Sequence, residues 1–150
     1  MSDRYAASGA QTVTATPGDT VLTLIGLSLT RGKLYDLVFG TIGTPADAFI
    51  QWLLRRFTAA GTGTGVGEIP LDTDAPANQL TADENHTVEP TYAADSELLD
   101  FGVNVRASFR WVAAPGGELV VPATAANGIG LTPIAAGYSA DVAATYHWEE

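Results

Sequence analysis

The chain has 150 residues, 46% of them hydrophobic and 16% charged, with no cysteine and a formal net charge of −10. That length fits one domain with enough core to fold without staples, and the missing thiols exclude disulfides and thiolate metal sites. The balance of 17 acids against 7 bases argues against a general nucleic-acid binder, whose affinity rests on Lys and Arg neutralising phosphates.

Residues 1–11 are small and polar, with Tyr5 the one aromatic, and read as a loose N-terminal arm ahead of a domain over 12–150. Their start, Met1 to Tyr5, lacks a basic segment followed by an apolar run, so no secretory leader is expected. Thr12 to Thr16 suits a short edge strand, and Pro17-Gly18-Asp19 a turn. Val21 to Thr30 reads as a strand. Its apolar run is broken by Thr23, Gly26 and Ser28 and falls short of the ~20 residues a membrane span needs, so a soluble domain without membrane contact is expected. Lys33 to Phe39 alternates with apolar residues on both faces. Ala48 to Thr58 fits one helical face, with Asp47 as N-cap, or a strand buried on both sides; its strand-like neighbours favour the strand.

Gly61 to Gly67 reads as a flexible connection. Beyond it the chain is acidic and mostly irregular as far as Leu98, with short strands expected at Val66 to Leu71 and His86 to Glu89 and one helical turn at Asp95 to Leu99. No Lys or Arg falls between Arg56 and Arg106. The acids there read as solvated loops, or as a patch facing a basic partner. Phe101 to Trp111 alternates so regularly that it predicts a single strand with one wet face. Pro115-Gly116-Gly117 then turns the chain into Leu119 to Val121 as its hairpin partner. Asn127-Gly128 is a further turn, Ile129 to Thr132 a short strand, and Ala140 to Glu149 a strand with Val142, Ala144, Tyr146 and Trp148 on one face. Eight to ten short strands with no alternating helices predict an all-β single domain, a β-sandwich, jelly roll or barrel, with the sandwich or jelly roll with long loops preferred.

Chemistry-bearing motifs are sparse. His86 and His147 stand alone, without ligand spacing, and both read as surface residues. Asn85-His86-Thr87 matches a glycosylation sequon, read as chance without a secretory signal. The glycine run lacks the Lys-Ser/Thr ending of a phosphate loop, and no serine sits in a nucleophile elbow. Asp72-Thr73-Asp74 begins like a calcium loop, but Ala75-Pro76 breaks the continuation. No catalytic, cofactor-binding or metal-binding residue is assigned, and a non-enzyme is expected.

Two stretches carry a resemblance. One runs from Tyr35-Asp36-Leu37-Val38-Phe39-Gly40-Thr41-Ile42-Gly43-Thr44-Pro45-Ala46-Asp47 to Arg56-Phe57-Thr58-Ala59-Ala60-Gly61-Thr62-Gly63-Thr64. The other is Ala107-Ser108-Phe109-Arg110-Trp111-Val112-Ala113-Ala114-Pro115-Gly116-Gly117-Glu118-Leu119, continuing through Pro122-Ala123-Thr124-Ala125-Ala126-Asn127-Gly128. Together they resemble small virion proteins of tailed bacteriophages, in particular capsid decoration (cement) proteins. The resemblance implies a structural protein made in the host bacterial cytoplasm and bound to the capsid exterior. It further implies the major capsid protein as partner, a homotrimer, and no cofactor. A tail or neck protein, or a carbohydrate-binding β-sandwich module, is the alternative reading.

Overall fold

The computed structural model describes residues 2–13, 19–134 and 139–150. Among them are twelve strands: β1 (Arg4–Val13), β2 (Leu22–Ile25), β3 (Lys33–Ile42), β4 (Phe49–Ala59), β5 (Thr62–Val66), β6 (Ile69–Pro70), β7 (Thr81–Val88), β8 (Thr91–Asn104), β9 (Phe109–Val112), β10 (Leu119–Val120), β11 (Gly128–Pro133) and β12 (Ala140–Glu149). They form two antiparallel sheets. The first has the order β10-β3-β12-β1-β6, with β9 also paired to β3; the second has the order β5-β7-β2-β11-β4-β8. This is the all-β sandwich the patterning predicts.

The core lies between the sheets. Tyr5, Ala7 and Val13 on β1, Leu34, Leu37 and Phe39 on β3, and Val142, Ala144, Tyr146 and Trp148 on β12 supply one wall. Leu22, Leu24, Ile50, Trp52, Leu54, Ile129 and Leu131 supply the other. The Tyr146 hydroxyl, buried in this core, donates to the Leu22 carbonyl at 3.0 Å, as a buried phenol requires.

The second sheet is built on one bent ribbon. Only Ala60 and Gly61 separate β4 from β5, and only Glu89 and Pro90 separate β7 from β8. The pairing runs from Phe49↔Asn104 to Ala59↔Thr91 and resumes at Thr62↔Val88, ending at Val66↔Ala82. One half of the ribbon pairs with β2 and the other with β11, while β2 and β11 pair with each other. The ribbon therefore bends around that central pair. Gly61 has φ +73°, and a Cβ there would lie 2.2 Å from the Val88 carbonyl oxygen. Inside the bend the Tyr92 ring crosses Gly130, under the Arg55 guanidinium at 3.9 Å, and its hydroxyl meets the Thr20 hydroxyl at 2.8 Å.

Several expectations are corrected. Residues expected to be a loose arm form β1, paired with β12 along its whole length from Arg4↔Glu149 to Val13↔Ala140. Its small residues are close-approach residues: a Cβ on Gly9 would stand 2.8 Å from the Leu22 side chain. The folded surface is 7265 Å², matching the roughly 7,250 Å² expected of a compact chain of this mass, so no detached arm adds to it. Gly61 to Gly67 is mostly strand β5, since its glycines let it lie close to Asp83 and His86 on β7. Asp95 to Leu99 is strand, with Asp95 at φ +50°. Val21 to Thr30 holds only the short β2, followed by a tight turn with Leu29 at φ +72°. Phe101 to Trp111 is two strands joined by a turn, with the Ala107 amide donating to the Asn104 carbonyl at 2.8 Å. Leu119 pairs with Leu34 of β3. The edge strand expected at Thr12 to Thr16 lies partly outside the described residues, as does most of the turn at 17–19.

Candidate functional site

The search for chemistry begins with the charged groups. Asp36 is buried on β3. Arg110 of β9 grips its carboxylate with two hydrogen bonds, Nε to Oδ1 at 3.0 Å and Nη2 to Oδ2 at 2.7 Å. Those bonds hold the Asp36 carboxyl below the usual range, against the opposite pull of burial, with the Arg110 and His147 charges assisting. His147, half-buried on the outer face of β12, brings Nδ1 to 3.4 Å from Oδ2, beyond good hydrogen-bond length. This trio pins β9 to β3. A carboxylate saturated by a bidentate guanidinium is a poor proton acceptor.

His86 is buried, contrary to the surface reading. The ladder slips between Thr62 and Thr64, leaving Asn85 at φ +53° and turning the His86 ring into the ribbon bend. Burial lowers its proton affinity, opposed by Glu89, Asp83 and the Thr20 backbone. Asp72 and Asp74 form a self-contained turn, the Asp72 carboxylate accepting from the Asp74 amide at 3.0 Å. Among the described residues no group of three His, Asp or Glu side chains is placed to hold a metal ion. Of the nine acids between Arg56 and Arg106, expected on solvated loops, five lie on the ribbon strands β7 and β8, and Glu68, Asp72, Asp74 and Glu89 lie on connections.

What stands out is a surface. On one flank the sandwich is closed: Glu84 of β7 accepts from the Ala10 amide of β1, and β6 pairs with β1. On the opposite flank β8 pairs only with β4 and β9 only with β3, so both margins are free among the described residues. There the inward-facing side chains are only partly buried. Leu99, Phe101 and Val103 of β8 and Phe109, Trp111 and Leu119 across from them all touch the core without being enclosed by it. Phe101 and Phe109 stack at 4.1 Å between centroids and 15° between planes, forming the floor of the seam. The β8 side of this seam exposes Asp95, Glu97 and Asp100, and the β9 side exposes Arg106 and Arg110. Aromatic residues with arginine at a margin are the composition of interface hot spots. Sequence reading placed these aromatics on apolar faces but gave no sign that two terminal strands leave them uncovered.

No family model matches the chain, and no curated protein or solved structure is significantly similar to it.

Proposed function

We propose that this chain is a structural virion protein that binds the outer surface of a bacteriophage capsid and stabilises the shell, acting as a homo-oligomer. The observation that carries the reading is the open seam, in which residues packed against the core stay partly buried along a free margin. A stiff two-sheet body with such a margin works through the surfaces it presents. The resemblance of residues 35–64 and 107–128 to decoration proteins supplies the partner, the major capsid protein. Multivalent attachment across a symmetric shell gives avidity without a single strong site.

The test is to incubate the purified protein with expanded empty capsids of the virus that encodes it and to image them. Saturable density at symmetry-related positions on the exterior is expected. Bare capsids at saturating protein remove the reading, and density on tails or necks replaces it with the tail or neck alternative. The partly buried Trp111 favours one second reading, a carbohydrate-binding module; specific retention on a glycan array would support that instead.

A further inference from the structure

We infer that the seam is where copies of this chain join, the β8 margin of one copy against the β9 margin of the next. This deepens the homo-oligomer part of the reading above and does not depend on the capsid.

The argument is charge matching over an apolar floor. The β8 margin is acidic: Asp95, Glu97 and Asp100 are exposed, and no base occurs between Arg56 and Arg106. Two β8 margins brought together would oppose like charges. Beyond β8 the bases are Arg106, in the turn that leads into β9, and Arg110 on β9. The Arg110 charge is matched by Asp36, while no carboxylate among the described residues lies within ion-pair distance of Arg106. Its guanidinium only donates to the Pro45 carbonyl, at 3.2 Å. Each copy thus carries an acidic β8 margin and two arginines at the turn and strand beyond it, beside the same partly buried Phe101, Phe109 and Trp111. A surface with unlike halves fits another copy of itself, and an arbitrary acidic or basic partner would match only one half. Head-to-tail contacts of this kind close into a ring where the rotation between copies closes.

Trp111 reports on the seam directly, because Trp52 and Trp148 are only 2% and 0% exposed. Light scattering is run across a dilution series, with acrylamide quenching of tryptophan fluorescence in parallel. A closed oligomer is expected at high concentration, with quenching falling at least two-fold relative to the dilute protein. Asp100→Lys and Arg106→Glu, each checked for native circular dichroism, should each raise the dissociation constant at least ten-fold. The double variant, which exchanges the signs at these two positions, should recover most of the loss. A monomer at every concentration overturns the inference. So does an oligomer in which Trp111 stays quenchable, or one that neither single variant weakens. Protection of Trp111 only when capsids are added assigns the seam to the capsid subunit and also overturns it. A ring that leaves capsids bare would sink the capsid reading alone.

Discussion

Tyr92 shows how much of this fold turns on single residues that periodicity cannot weigh. Its ring lies across Gly130, where a Cβ would come within 2.3 Å of its hydroxyl oxygen. Gly130→Ala must push the ring away from Thr20 and Arg55. Overpacking of this kind costs about 1–3 kcal/mol, and the urea midpoint should fall with an unchanged slope. Tyr92→Phe removes only the hydroxyl pair with Thr20 and should cost about 1 kcal/mol. His86 carries a pH prediction. Burial is the main reason its folded pKa is lowered, with Glu89, Asp83 and the Thr20 backbone opposing. The unfolded chain therefore binds this proton more readily. Stability from the neutral ring is complete above the unfolded histidine pKa of about 6.5 and is lost as pH falls through the lower folded value. Urea midpoints at pH 7.5 and 5.5 should diverge in the wild type and converge in His86→Gln; equal divergence in both removes the assignment. Nothing in Asn85-His86-Thr87 signals burial. The inward turn of the ring comes from a bulge, whose position depends on the partner strand and not on local composition.

Among the elements, the ribbon bend and the β8–β9 corner mark the limits of pattern reading. Phe101 to Trp111 alternates without a break because both strands turn their odd residues to the same core. A turn over residues 105–108 that preserves parity is invisible to a period of two. Gly61 to Gly67 hides for the opposite reason. Glycine is a weak strand former, yet Gly63 sits where a Cβ would meet the Asp83 side chain at 2.9 Å, so the ladder needs it. What was legible were the strands with large side chains on one face: β3, β4 and β12 fall where alternation or a buried run places them. The bend gives a paired prediction. Gly61→Ala puts an L-residue at φ +73° with its Cβ 2.2 Å from a backbone oxygen. It should lower stability by more than the ~1 kcal/mol that a left-handed residue costs alone. Gly102→Ala on β8 meets nothing within 4 Å and has no positive φ; replacing a strand glycine there should raise stability by about 0.5–1 kcal/mol. Equal effects in thermal or urea unfolding would mean that the bend at Gly61 is not what fixes the ribbon.

For the whole molecule, the sequence predicts the class of fold but not its closure. The first described strand pairs with the last, Arg4 opposite Glu149, and the Glu150 carboxylate accepts from the Gln79 and Leu80 amides at 2.7 and 2.9 Å. Partners so far apart along the chain leave no local trace, so β1 looked like an arm and the seam looked like ordinary core. Net charge adds a further consequence. Each copy carries −10, so two copies repel at long range while unlike margins attract at contact. The Debye length is ~30 Å at 10 mM salt, ~8 Å at 150 mM and ~3 Å at 1 M. Moving from 10 to 150 mM removes most of the repulsion between molecular bodies but screens a contact at hydrogen-bond distance far less, so assembly should strengthen. Between 150 mM and 1 M the remaining loss falls on the ion pairs, while burial of Phe101, Phe109 and Trp111 resists salt. Assembly should then change little or weaken slightly. The dissociation constant measured by light scattering should thus pass through a shallow minimum near physiological salt. A steady rise from the lowest salt upward would mean that attraction between margins outweighs body repulsion at every range.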